Sequence, residues 1–317
     1  MPNPTLYSVR SGAKANQLIV KEVWSQSGKS PLATGFKQMI TLAAGGQNYL
    51  IGFDATGKGS AFKLSPKKPW IEAVASNINV GAADIIEPFV LGMEPYILAY
   101  QQQKGIFSYY SVSSDLSTSA LPYQFSHPRV PLTAGFTVTQ PVIINSLLYI
   151  LSYNFTTGDV DIWSLQVTPY PPAGTQPGTP PLLMLPVWVH QWAKSWNRFA
   201  FFMMGGETFF FKINFGPKLN VNIDHVSDDP TQGTVEVGTW LQNLLDDPTK
   251  IDIVEPFTMN GGDPYYVTYR ASSGSTDWFR IHADCQGWTK EHSGTTVKSA
   301  TQVVPYQLGD DRFALFY

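Results

Sequence analysis

With 317 residues, 43% of them hydrophobic and 14% aromatic, the chain can bury a large core without help from disulfides or metals. Charged residues make up only 14%, against roughly 25% in average soluble domains, and the net charge is −3. That balance leaves no electrostatic footprint for nucleic acid or an anionic membrane, so neither is expected as a partner.

The N-terminus, Met1-Pro2-Asn3-Pro4-Thr5, lacks the basic and apolar regions of a secretory signal. No apolar run approaches the roughly 20 residues needed to cross a bilayer. The lone cysteine, Cys285, allows no intramolecular disulfide and fits a reducing compartment, so a cytoplasmic protein is expected.

The first expected strand, Thr5 to Arg10, contains the triplet Tyr7-Ser8-Val9: an aromatic, then Ser, Lys or Arg, then a branched aliphatic. It recurs as Phe62-Lys63-Leu64, Tyr110-Ser111-Val112, Trp163-Ser164-Leu165, Phe211-Lys212-Ile213 and Phe279-Arg280-Ile281. A β-rich unit repeating about every 50 residues is the signature of a propeller, one four-stranded blade per repeat. Before each triplet runs an aromatic–aliphatic strand: Tyr49 to Phe53, Tyr96 to Tyr100, Tyr149 to Tyr153, Phe199 to Met203, Tyr265 to Tyr269 and Phe313 to Tyr317. Near-continuous apolar strands are buried on both faces, as between packed blades. Gly57, Gly105, Gly158, Gly206 and Gly274 follow them as hairpin glycines.

The strand ending at Tyr317 needs a partner, and Thr5 to Arg10 supplies it, so the two termini are expected to share the last blade and close the ring. Trp24, Trp70 and Trp288 mark outer strands in three blades. The expected architecture is therefore all-β: a six-bladed β-propeller with four-stranded blades, residues 1–317 forming a single domain. Helix is expected only around Thr239 to Leu245. Two insertions break the repeat: a Pro-rich stretch, 167–186, and residues 214–250, both read as long connections.

Each blade should begin with a strand lining the central channel. Aligning these, with a one-residue shift in the Glu255 blade, places Ile40, Glu87, Gln140, His190, Glu255 and Val304 at one position, with Pro88, Pro141, Pro256 and Pro305 following in four blades. Side chains of that kind cannot sit unpartnered between apolar blades, so they are expected at the channel. Gln38, Ile85, Val138, Trp188, Ile253 and Gln302 form the next level. Ile40 and Val304 make one side apolar and the others make the opposite side polar, an asymmetry suited to a single ligand. A ring of polar side chains satisfying one another is the alternative. In Trp188-Val189-His190-Gln191-Trp192 the two tryptophans should flank the histidine, as core filler or as an aromatic wall.

No His/Cys cluster at zinc spacing appears, and no P-loop, dinucleotide fingerprint or Gly-x-Ser-x-Gly elbow, so neither metal nor cofactor is expected. The layout resembles the six-bladed propeller lectins of fungi and bacteria, of the fucose-binding and tectonin-like kinds. The shared features are the six units, the Tyr/Phe-rich second strands, and Trp70 or Trp288 ending a unit. That resemblance implies several glycan sites, yet the fucose-binding family's repeated Arg, Glu and Trp set has no counterpart here. Size and aromatic pattern are also similar to the cofactor-free fungal enzymes of hetero-Diels–Alder cyclisation in tropolone sesquiterpenoid biosynthesis. This second resemblance implies an apolar pocket that works by positioning and by a hydrogen bond to a carbonyl.

The reading carried forward is a cofactor-free, cyclase-like enzyme of secondary metabolism, a monomer or homodimer, with one apolar oxygenated small molecule on the axis. Glu87, His190 and Glu255 are its expected catalytic residues; Gln140, Trp188, Trp192, Gln38 and Gln302 are its expected substrate contacts. A multivalent glycan-binding lectin is the alternative.

Overall fold

In the computed structural model the chain winds through six sheets arranged as a propeller. The structure describes residues 4–13, 17–25, 32, 35–91, 93–121, 123–125, 134–167, 182–215, 220–241, 251–259 and 262–317. Strands β1 (Thr5–Ser11) and β2 (Leu18–Ser25) come first but belong to the last blade. The first blade is β3 (Gln38–Ala44), β4 (Gln47–Phe53), β5 (Lys58–Leu64) and β6 (Ile71–Asn79). The second is β7 (Ile85–Leu91), β8 (Glu94–Gln101), β9 (Ile106–Val112) and β10 (Thr118–Leu121). After β11 (Tyr123–Phe125), the third blade runs β12 (Val138–Ile144), β13 (Leu147–Tyr153), β14 (Asp159–Val167) and β15 (Leu182–Gln191). The fourth is β16 (Arg198–Met204), β17 (Glu207–Asn214), β18 (Asn220–Val226) and β19 (Thr234–Leu241). The fifth is β20 (Ile253–Thr258), β21 (Pro264–Arg270), β22 (Ser275–Ile281) and β23 (Trp288–Thr295). Finally β24 (Val303–Leu308) and β25 (Asp311–Phe316) join β1 and β2.

Closure is by backbone pairing across the termini: Leu6 lies opposite Leu315 and Tyr7 opposite Ala314 in antiparallel register. The last blade thus has no open edge between its two halves. The third blade departs from four strands, because β11 pairs in parallel with its outer strand β15.

Second strands are largely apolar because each feeds two cores, with Lys212 on β17 and Arg312 on β25 as buried charged exceptions. On β4, Leu50 packs in a cluster with Leu6, Phe313 and Leu315 of the last blade. Its neighbour Ile51 packs with Ile86 and Ile97 of the second blade. Tyr266 and Val267 on β21 divide in the same way between the fourth-blade and last-blade sides. Alternation along the strand sends successive side chains to opposite faces, and here both faces are interiors.

The fourth blade corrects the sequence alignment. Phe199 to Met203 lies on the inner strand β16, not on a second strand, and Phe211-Lys212-Ile213 lies on the second strand β17. The other five aromatic triplets do sit on third strands, β1, β5, β9, β14 and β22. The slip arises at the Pro-rich stretch. Residues 168–181 lie outside the described ones, but Leu182–Gln191 is the outer strand of the third blade rather than a loop or the start of the fourth. Likewise residues 214–250 hold β18 and β19, the third and outer strands of the fourth blade. Helix expected at Thr239 to Leu245 does not begin: Thr239 and Leu241 belong to β19, and 242–250 lie outside the described residues. Among the described residues a 3-10 turn runs over Pro230–Gln232, and no helix is long and apolar enough to cross a membrane.

One hairpin glycine is fixed by geometry. Gly57, between β4 and β5, has φ +82°, and its carbonyl accepts a 3.0 Å bond from the Val80 N–H. A Cβ placed there would meet the Gly81 carbonyl oxygen at 1.7 Å. The left-handed backbone alone would cost an alanine about 1–2 kcal/mol, and the opposing atom is backbone that cannot swing away. Gly57→Ala is therefore expected to lower the urea midpoint by more than that conformational cost. An unchanged midpoint would show that the turn re-forms without the Gly81 contact.

Candidate functional site

The inner strands are bonded on one side only, so their other edge faces the channel. Pro88, Pro141, Pro256 and Pro305 lie on these edges opposite Ile97, Ile150, Tyr266 and Ala314. Proline is tolerated on an edge because its missing N–H would have pointed away from the partner strand. The prolines also remove polar donors from the channel wall.

A cavity of about 470 Å³ opens on the axis at the N-terminal ends of the inner strands and touches all six of them. Ile40, Glu87, Gln140, Glu255 and Val304 all line it. His190 does not. It sits exposed on β15, the outer strand of the third blade, with its ring centroid 5.3 Å from that of Trp188. The inner-strand position expected for His190 is taken by Ala200 on β16. Trp188 and Trp192 are likewise away from the axis, with centroids 6.3 Å apart. Trp192 stacks on Phe210 and packs between the third and fourth blades. The aromatic-wall role expected for this pair at the axis thus has no support from where they stand; it followed from taking an outer strand for an inner one.

The next level is Gln38, Ile85, Val138, Arg198, Ile253 and Gln302, with Arg198 in the place given to Trp188. Its long polar members reach to the following blade. Gln302 accepts from the Met39 N–H at 3.1 Å and donates to the Lys37 carbonyl at 3.1 Å. Gln38 accepts from the Ile86 N–H at 3.0 Å and donates to the Ile86 carbonyl. Each amide thereby satisfies backbone groups of a neighbouring inner strand. Both glutamines act here as clips between blades, and what their amides offer a ligand is correspondingly reduced.

Arg198 reaches from the fourth blade to the fifth, where its Nη2 donates to Glu255 Oε2 at 2.6 Å. The pair is partly exposed to the channel, at 35% and 26% for the two side chains. Burial raises the Glu255 carboxyl above its ordinary value, and the Arg198 guanidinium pulls it back only in part. Sequence reasoning missed Arg198 as a site residue because the register slip placed it outside the inner strand.

Glu87 stands apart. Among the described residues no hydrogen bond or ion pair satisfies its carboxyl. It is half-buried and lines the axial cavity. Burial pushes it up to about 8, and the Glu255 carboxylate adds to the rise. Gln140 is nearly as free, its Nε2 making only a 3.5 Å contact with the Pro141 carbonyl. Near neutral pH the axis therefore carries a protonated carboxyl, an unspent amide and one ion pair. Ile40, Ala200 and Val304 supply apolar surface to the same cavity.

No protein-family model and no curated protein matches the chain. Among solved structures, a putative 6-phosphogluconolactonase from Bacteroides fragilis aligns at 12% identity and a TM-score of 0.50, over 96% of this chain and 85% of that one. The SapL1 lectin in complex with alpha methyl fucoside aligns at 8% identity and a TM-score of 0.50, over 88% and 87%. An exo-β-1,3-galactanase from Phanerochaete chrysosporium, solved with galactose, aligns at 11% identity and a TM-score of 0.48 over 76% of this chain, which spans 62% of that enzyme's length. The likeness at such identities is one of fold: this chain is a six-bladed β-propeller, similar in architecture to a propeller lectin.

Proposed function

We propose that the protein is an enzyme that binds one oxygenated small molecule in the axial cavity and activates it by hydrogen bonding and proton donation. The observation that carries this reading is the convergence, in one cavity of about 470 Å³, of the unsatisfied Glu87 carboxyl and the Gln140 amide. Glu87 in its neutral form is a donor to a carbonyl or leaving oxygen. Gln140 is a second donor, and Arg198 holds Glu255 as a fixed negative partner. Ile40 and Val304 would take the apolar part of the ligand. A neutral acid and an amide beside an apolar wall suit cofactor-free activation of a carbonyl for ring closure, of the hetero-Diels–Alder kind used in secondary metabolism. All atoms of the substrate are retained in such a step, and positioning supplies much of the rate.

The rival is a multivalent lectin, a reading to which the SapL1 fold likeness gives its starting point. A multivalent lectin keeps one polar set in blade after blade. Here the cleft between the fifth and last blades holds Arg312, already spent on the Thr258 and Gly309 carbonyls. The cleft between the first and second holds Lys37 and Asp84 instead. Nothing repeats between them.

Crystals soaked in a mixed panel of simple sugars and apolar phenolic or terpenoid fragments separate the two. Density for one fragment beside Glu87 and Gln140 is the expected result. Sugars bound between blades, with the axis untouched, would replace the enzyme reading with the lectin.

A further inference from the structure

At the other end of the inner strands, the third and fourth blades enclose a second cleft, of about 310 Å³. Its floor is built by the two hairpins Asn145-Ser146 and Gly205-Gly206, all four residues at positive φ. Glu207 and Asp228 line the cleft, and strand register brings His225 beside Glu207. Strand β17 pairs with β18 so that Phe209 lies opposite His225. Glu207, two residues earlier on β17, shares that sheet face and comes diagonally beside the imidazole. Asp228 follows β18 in the next turn, where the Asn145 side-chain Nδ2 donates to its carbonyl at 2.7 Å.

One ligand-type atom from each of Glu207, His225 and Asp228 lies within 4.8 Å of the others. The pairing inside this group is not that of a hydrogen bond. His225 Nε2 is 3.2 Å from Glu207 Oε2, an ion-pair contact when the imidazole is protonated. Yet that nitrogen is shut off from solvent and has no hydrogen-bond partner. Two donor atoms that are close without a hydrogen bond are what the edge of a coordination polyhedron looks like. With metal–ligand bonds of about 2.0–2.2 Å, adjacent ligands sit roughly 3–3.5 Å apart. The imidazole is also held in place, its ring centroid 4.7 Å from that of Phe209. Oriented first-row metal ligands are usually braced in this way by their surroundings.

We propose that Glu207, His225 and Asp228 form a binding site for one divalent transition-metal ion of the zinc type, its remaining coordination positions open to the cleft. One imidazole and two carboxylates suit such a borderline ion better than calcium or magnesium, which favour all-oxygen shells. Three protein ligands with an open position is also the pattern of a site that can admit water or a small anion. The site stands at the opposite end of the inner strands from the axial cavity and shares no residue with it.

The test is calorimetric titration of the full chain with zinc ion alone, after removal of metal by a chelator, in parallel with Asp228→Asn and His225→Ala. Saturable binding of one ion is expected at this site. Asp228 is exposed, so Asp228→Asn leaves the fold intact and should weaken binding by at least the ~10–100-fold that loss of an outer-shell partner costs. His225→Ala should weaken it at least as much, with circular dichroism confirming the fold. Weak uptake by the scattered His190, His282 and His292 would persist in both variants. Absence of saturable binding, or affinity equal to wild type in Asp228→Asn and His225→Ala, would overturn the site.

Discussion

Lys212→Ala is expected to destabilise the protein by about 3–5 kcal/mol, the usual cost of removing one partner from a buried ion pair. Lys212 on β17 reaches Asp224 on β18 at 2.8 Å, with the two side chains only 7% and 3% exposed. Its ammonium also lies 4.6 Å from the ring centre of Trp192 and 5.1 Å from that of Trp196, so both tryptophans share its charge. Asp224 has little else. Oδ2 accepts from the Thr234 hydroxyl at 3.2 Å, and Oδ1 has no hydrogen-bond partner. Burial already raises the Asp224 carboxyl, with Lys212 as the largest opposing influence. Without Lys212 the carboxylate must either stay charged in an apolar wedge or take up a proton, and both cost free energy. Lys212→Met combined with Asp224→Asn should recover much of the loss, because no charge is then left buried. Urea unfolding of the single and double variants decides it. A loss below about 1 kcal/mol for Lys212→Ala would mean that water reaches the pair.

The same neighbourhood explains what could be read in advance and what could not. The architecture was legible because the second strands must be apolar on both faces: Leu50 and Ile51 serve two different cores, and no other fold class demands that of six consecutive units. Ring closure was legible because the strands of Leu6 and Leu315 each find only one partner in their own half of the chain, β2 and β24, and complete a four-stranded blade only by pairing with each other. The axis position was legible in four blades from a polar residue or an aliphatic at a fixed distance before the second strand, and in the Glu255 blade after a one-residue shift. It failed in the fourth because Trp188-Val189-His190 alternates as convincingly as an inner strand does. Periodicity reports that a strand alternates, not which of four ladders it occupies. The correcting signal was the glycine pair. Gly45-Gly46 turns the chain between the inner and second strands of the first blade, and Gly205-Gly206 does the same in the fourth. Read that way, Arg198 falls on the inner strand and His190 on the outer one. The Glu207, His225 and Asp228 cluster was beyond reach, since its members meet only through the register of β17 with β18.

Glu87→Gln should uncouple stability from pH on the alkaline side while removing activity. In the unfolded chain this carboxyl loses its proton near 4.5, whereas in the folded protein it keeps it to about 8. Between those values the native state holds a proton that the unfolded state has released, so wild-type stability falls as pH rises through the window. The loss is complete above pH 8 and absent below 4.5. Asp161, raised to about 7 by burial, and Glu255 act in the same direction, so the wild type should be most stable on the acid side of neutrality. Glutamine has the shape of glutamic acid and no proton to lose. The variant should therefore match wild type below pH 4.5 and unfold at higher temperature than wild type at pH 9. Its amide is a weaker hydrogen-bond donor than a neutral carboxyl and cannot transfer a proton, so turnover of the substrate that the cavity accepts should drop. The drop should be about 10²–10⁴-fold where the step moves a proton, and less where a hydrogen bond suffices. For wild type that activity should itself fade above pH 8, as Glu87 ionises. The two readouts test different links of the argument. A variant less stable than wild type at pH 9 would show that Glu87 is already solvated and charged, whatever the assay says. A stabilised variant with full turnover would leave the neutral carboxyl in place but take the chemistry away from it.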